Sequence, residues 1–128
     1  MGKYIATEAC VLACQNPLAT AVIQITGINS YKVTSGSSKV WAKQIDFRIS
    51  TYSISSTGFT QSNPTSGSIT ATATSVTTTS VTTSENAVVL EGDQSATLTI
   101  SGMIGQNNAE VTDVVYVKSA GQKVVKAT

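Results

Sequence analysis

Asn86-Ala87-Val88-Val89-Leu90-Glu91-Gly92-Asp93-Gln94 runs directly into Ser95-Ala96-Thr97-Leu98-Thr99-Ile100-Ser101-Gly102. An apolar run, residues 87–90, ends at Glu91-Gly92-Asp93. Gly92 and Asp93 suit a tight reversal, because glycine accepts positive φ and aspartate bonds neighbouring backbone. Beyond it, Ala96, Leu98 and Ile100 alternate with Thr97, Thr99 and Ser101. A period of two is what a half-buried strand requires, since successive side chains point to opposite faces. The stretch therefore reads as strand, turn, strand.

Working outward, the same grammar recurs. Residues 19–26 alternate, with Ala21, Ile23 and Ile25 on one face, and residues 27–30 read as a turn before a short strand at 31–34. Residues 39–42 and 44–52 give two more extended pieces, the second placing Ile45, Phe47 and Ile49 on one side. Trp41 and Phe47 are the expected large core residues. Residues 53–68 read as a long loop or a weak hairpin turning at 63–67, where Asn63-Pro64 and Gly67 lie. The low-complexity run 68–83 keeps Ile69, Ala71 and Ala73 in period two, which favours a thin strand with small inward side chains. Residues 111–118 and 123–127 complete eight or nine expected strands. Residues 4–14 stay open between helix and strand. The fold class expected is all-β, one domain over residues 1–128.

Composition narrows the function. Charged residues are 12% of the chain and the net charge is +1. No basic cluster stands out, so a nucleic-acid partner is not expected. Histidine is absent and aromatics are 5%. That removes the commonest general base and metal ligand. The serine-rich runs lack both a base and a nucleophile elbow. Gly102-Met103-Ile104-Gly105 lacks the Gly-Lys-Ser/Thr ending of a phosphate loop. Glu91 and Asp93 flank Gly92 as a carboxylate pair, but a solvated turn explains them without a tuned cleft. Cys10 and Cys14 are either two metal ligands or two small buried hydrophobes. The second reading is preferred because no histidine is present to complete a zinc site. In an extended strand they would lie too far apart for a disulfide, whereas on a helix they would be near enough in distance, though not in ideal geometry. Catalytic residues, metal ligands and cofactors are accordingly expected to be none.

At the start of the chain, Val11-Leu12-Ala13-Cys14 loosely resembles a lipobox, but Glu8 interrupts the apolar region. Ala6 stands where a myristoylation signal needs Ser or Thr. Synthesis as a soluble cytoplasmic chain without a signal peptide is the expectation. An internal echo joins Ser38-Lys39-Val40-Trp41-Ala42 to Gln122-Lys123-Val124-Val125-Lys126-Ala127, with residues 79–90 where a third copy would fall.

Several of these segments resemble the PAAR-like proteins that cap the spikes of contractile injection systems, type VI secretion and phage-tail-like particles among them. The resemblance rests on Val88-Val89-Leu90-Glu91-Gly92-Asp93, on Thr79-Ser80-Val81 before it, and on Ser119-Ala120-Gly121-Gln122-Lys123-Val124-Val125-Lys126-Ala127. The opening Met1-Gly2-Lys3-Tyr4, with Cys14 shortly before Pro17, is similar to the start of a cysteine-bearing branch. The Pro-Ala-Ala-Arg signature and the zinc-holding histidines of that family are missing. The resemblance implies a small pointed β-structure with pseudo-threefold repeats. It implies a non-enzymatic cap on a trimeric spike protein that helps pierce the target membrane, can carry effectors, and leaves the cell as part of the particle. The alternative is a phage or particle decoration protein, or an adhesin-like β-sandwich. A sandwich is expected to show two packed sheets, and a cap a threefold similarity over a triangular base.

Overall fold

The computed structural model describes residues 3–7, 9–32, 40–71, 88–121 and 126–127, with the backbone alone at 29–32, 40–42 and 126–127. Every regular element among them is a strand, in antiparallel pairs: β1 (Lys3–Tyr4), β2 (Val11–Cys14), β3 (Ala19–Lys32), β4 (Val40–Ile54), β5 (Phe59–Gln61), β6 (Thr65–Thr70), β7 (Leu98–Ile104), β8 (Asn107–Asp113), β9 (Val115–Ser119) and β10 (Lys126–Ala127). The all-β expectation holds, and the ambiguous start is extended rather than helical.

The long β3–β4 hairpin dominates. Residues 27–30 are not a turn: β3 runs through them, and the register against β4 slips between Ile25 and Gly27 instead. The two strands bond each other along their length, so the ladder outweighs the local turn preference of Gly27 and Asn29. The two pieces expected at 39–42 and 44–52 are likewise one strand from Val40 onward, Lys39 lying outside the described residues. The segment 53–68 is neither the expected long loop nor a hairpin turning at 63–67: after a turn at 55–58, β5 and β6 both return along the far edge of β4. The strand expected at 111–118 is two, β8 and β9, separated by Val114 where the chain changes sheets.

Among the described residues, one apolar cluster joins two layers. One layer is the sheet β3-β4-β5-β7-β8 with β6 also on β4. It supplies Ile45, Phe47, Ile49, Tyr52, Ile54, Phe59, Ile69 and Ile100. Facing it are β2, β9 and the segments around residues 4–7 and 88–95, which supply Ala6, Cys10, Val89, Val115 and Val117. The 88–95 segment is stitched in by backbone bonds on both sides. Ala6 N–H donates to Val89 and Glu91 N–H to Tyr4, while Gly92 N–H donates to Val117 and Ser95 N–H to Val115. Ile100 is buried and Leu98 half-buried as the alternation demands, whereas Ala96 is exposed because β7 begins only at Leu98.

A bulge in β4 decides which residues meet. Val22 pairs with Thr51 and Ile23 with Ile49, leaving Ser50 as the extra residue. From Ile45 to Ile49 the odd-numbered side chains are buried; past Ser50 the even-numbered Tyr52 and Ile54 are buried. An extra residue shifts the alternation by one, so the bulge aims Tyr52 into the core.

The echo segments, where described, lie in different sheets: Val40, Trp41 and Ala42 pair with β3, while Lys126 and Ala127 pair with β1. The rest of the echo, Thr79-Ser80-Val81, Ala73 and the Trp41 side chain lie outside what is described.

Candidate functional site

The most built polar feature is a buried corner around Asp113. Asp113 ends β8, Val114 carries the chain across, and residues 15–18 carry it back from β2 to β3. Its Oδ1 accepts the N–H of Val114 at 2.7 Å and of Asn16 at 3.3 Å; its Oδ2 accepts the Tyr52 hydroxyl at 2.5 Å. Gln15 N–H donates to the Val114 carbonyl at 2.9 Å, so the two crossings are bonded to one another as well. Asp113 and Tyr52 are both buried. A buried carboxyl group needs such donors, because an unpaired polar group there is costly. The ring of Tyr52 is held edge-on to Phe59, with centroids 6.1 Å apart.

Cys14 sits beside this corner, at the wall of a hollow of about 240 Å³ that Leu12, Ala21, Ile23, Tyr116 and Lys118 also line. Burial first, and the negative charge of Asp113 second, push the Cys14 thiol up to about 12 from its ordinary 9.0. Burial also raises the Cys10 thiol, and burial with the Asp113 contact raises the Tyr52 phenol. The nucleophile is the thiolate, so this pair of thiols is chemically quiet.

A folded-state value above the unfolded one stabilises the fold fully below the unfolded value, and that contribution is lost as pH rises through the folded value. For Cys14 the window runs from 9.0 to about 12, and Tyr52 acts in the same direction. The expected result is a melting temperature that falls steadily over this range. At neutral pH a thiol reagent should label the native chain slowly and both cysteines quickly once guanidinium unfolds it. Fast stoichiometric labelling of the native chain would contradict the buried placement.

The two cysteines are free. Among the described residues, no group of three or more His, Cys, Asp or Glu side chains is placed to hold a metal ion. Glu91 borders a shallow hollow with Lys3 and Lys118, while the Asp93 carboxyl turns back onto its own backbone. Leu90-Glu91-Gly92-Asp93 is a reverse turn closed by Asp93 N–H to the Leu90 carbonyl at 3.0 Å, with Gly92 at φ 93°. Positive φ at the third position is what a type II turn requires, which is why glycine stands there. The Asp93 carboxyl accepts the Leu90 N–H at 2.9 Å and so locks the turn from within. Gly102 lies inside β7, and the chain reverses at Gly105-Gln106 into β8, so no phosphate cradle is formed.

Sequence reasoning misses Asp113. A signal is present: a lone carboxyl between Val111 and Val114-Val115, where an apolar side chain would continue the pattern. The partner is invisible, because Tyr52 lies far away in the chain and faces inward only through the Ser50 bulge.

Comparison with protein-family models, with characterised proteins and with solved structures finds no match to this chain.

Proposed function

We propose that this protein is a non-enzymatic structural component of a contractile or phage-tail-like particle. The observation that carries the reading is where the family-like segments lie. Lys3-Tyr4, Cys14, Val88 to Asp93 and Ser119-Ala120-Gly121 are scattered along the sequence, yet one layer holds them together. Glu91 N–H donates to Tyr4, Gly92 N–H to Val117 and Thr7 N–H to Ala120, while Cys14 pairs with Val115 on β9.

The role this favours is a cap on the trimeric end of a spike, carried outward with the particle and meeting the target membrane as it fires. No nucleic-acid partner is implied by a chain of net charge +1. A second placement, as a decoration protein or adhesin-like β-sandwich, is favoured by the two packed layers and by the separate sheets of the echo segments. Stoichiometry separates the two. A spike-tip cap binds a purified spike trimer as one copy per three spike chains, read by native mass spectrometry or light scattering. Absence of any complex with spike trimers leaves the decoration or adhesin role.

A further inference from the structure

The inward row of β3 is covered far less well than that of β4. Ala19, Ala21, Ile23, Ile25 and Ile28 are each half-buried, while Ile45, Phe47 and Ile49 beside them are fully buried. The reason is position: among the described residues β3 ends the six-stranded sheet, with β4 on one side only. The hollow beside Cys14 opens along this same row, against Leu12 of β2.

Sheet edges are normally protected by charge, proline or shortness. β3 is long, and its one charge, Lys32, stands at its far end: from Ala19 to Tyr31 its sequence contains no charged residue and no proline. On its outward face Val22 is 51% exposed, and Leu18, just before the strand, is 64% exposed. The opposite edge strand, β8, is half as long and carries the exposed Glu110.

We propose that β3 is a strand-addition surface whose occupant is β3 of a second copy of this chain, antiparallel about a two-fold axis at Val22. Three features select that occupant. Residues 19–25, which face one another about that axis, carry no charge, so two copies meet without like charges opposed. The Val22 carbonyl is taken inside the sheet by the Ser50 hydroxyl at 3.2 Å. Because backbone groups alternate in direction along a strand, the outward-facing N–H and C=O groups are then those of Ala21, Ile23 and Ile25, with the C=O alone at Ala19, whose N–H donates to the Asn16 carbonyl at 3.1 Å. Finally, pairing Val22 with Val22 sets Ala21 against Ile23 and Ala19 against Ile25 of the second copy. Small side chains thus face large ones along the half-covered row, and Ile23 of each copy is delivered toward the other's hollow. A two-fold contact of this kind is self-complementary, and backbone bonds with alternate side-chain pockets are how added strands are recognised. Such pairing is independent of the particle role proposed above.

Sedimentation of the full chain over roughly 1 to 500 µM tests it, an edge contact of this size being expected to bind weakly. The wild type should pass from monomer to dimer. Val22→Lys, on an exposed face and so compatible with folding, puts like charges directly opposite one another and should weaken the dimer at least about fivefold. Val22→Glu should do the same, and an equimolar mixture of the two variants should restore dimer by pairing opposite charges. A wild type that stays monomeric throughout overturns the proposal. So does a dimer that Val22→Lys leaves unchanged. A monomer whose β3 edge binds an added spike trimer also overturns it, by assigning the edge to another occupant.

Discussion

Asp113→Ala is expected to destabilise the fold by about 3–5 kcal/mol, read as a shifted urea midpoint at unchanged slope. The side chain accepts three hydrogen bonds, from the Tyr52 hydroxyl and from the backbone of Asn16 and Val114. Removing the acceptor strands a buried tyrosine hydroxyl, and leaving a donor unsatisfied costs more than the bond itself contributed. Whole domains are stable by only about 5–15 kcal/mol, so this one change consumes a large part of the margin. Tyr52→Phe, which leaves Asp113 its two backbone donors, should cost only about 1–2 kcal/mol. Glu110→Ala, which removes an exposed carboxylate from β8, should stay within about 0.5 kcal/mol. Equal small effects from Asp113→Ala and Glu110→Ala would show that the corner is not held by this carboxyl group.

Gly102→Ala is the second large effect, at about 3 kcal/mol or more. A Cβ at Gly102 would run into the Thr60 carbonyl oxygen and lie 2.6 Å from the Phe59 ring. The first neighbour is backbone of β5, which pairs with β7 through this residue, so the obstacle is a strand rather than a mobile side chain. Relief requires parting β5 from β7 or displacing Phe59, itself buried and packed on Tyr52. Gly27→Ala provides the comparison. Its new Cβ would meet only the Asp46 side chain at 3.5 Å, an ordinary contact, and the variant should melt close to the wild type. A Gly102→Ala protein as stable as Gly27→Ala would mean that β5 yields without cost.

Tyr52 and Gly102 mark where the sequence stops being readable. The alternation of Ile45, Phe47 and Ile49 is local, and it correctly names their buried face. Extended one step, it puts Thr51 inward; the extra residue Ser50 exists only relative to the register of β3, and it turns Tyr52 inward instead. Gly102 looks like any strand-breaking glycine until β5 arrives beside it from a distant part of the chain. The turn expected at 27–30 fails for a related reason. Gly27 and Asn29 permit a reversal, but a long partner strand offers a ladder that a local turn cannot match.

By itself, the sequence determined the class: period-two patterning, β-branched residues and scarce charge leave an all-β chain little alternative. It also determined the Leu90-to-Asp93 turn, because the positive φ at Gly92 and the carboxyl lock of Asp93 are both short-range chemistry. Tertiary structure alone decided how the sheets lie on one another, where the chain crosses between them, and that Asp113 and Tyr52 meet at that crossing. Periodicity specifies which face of a strand is apolar. Which other strand that face meets is fixed by register and bulges, through contacts between residues that local pattern does not connect.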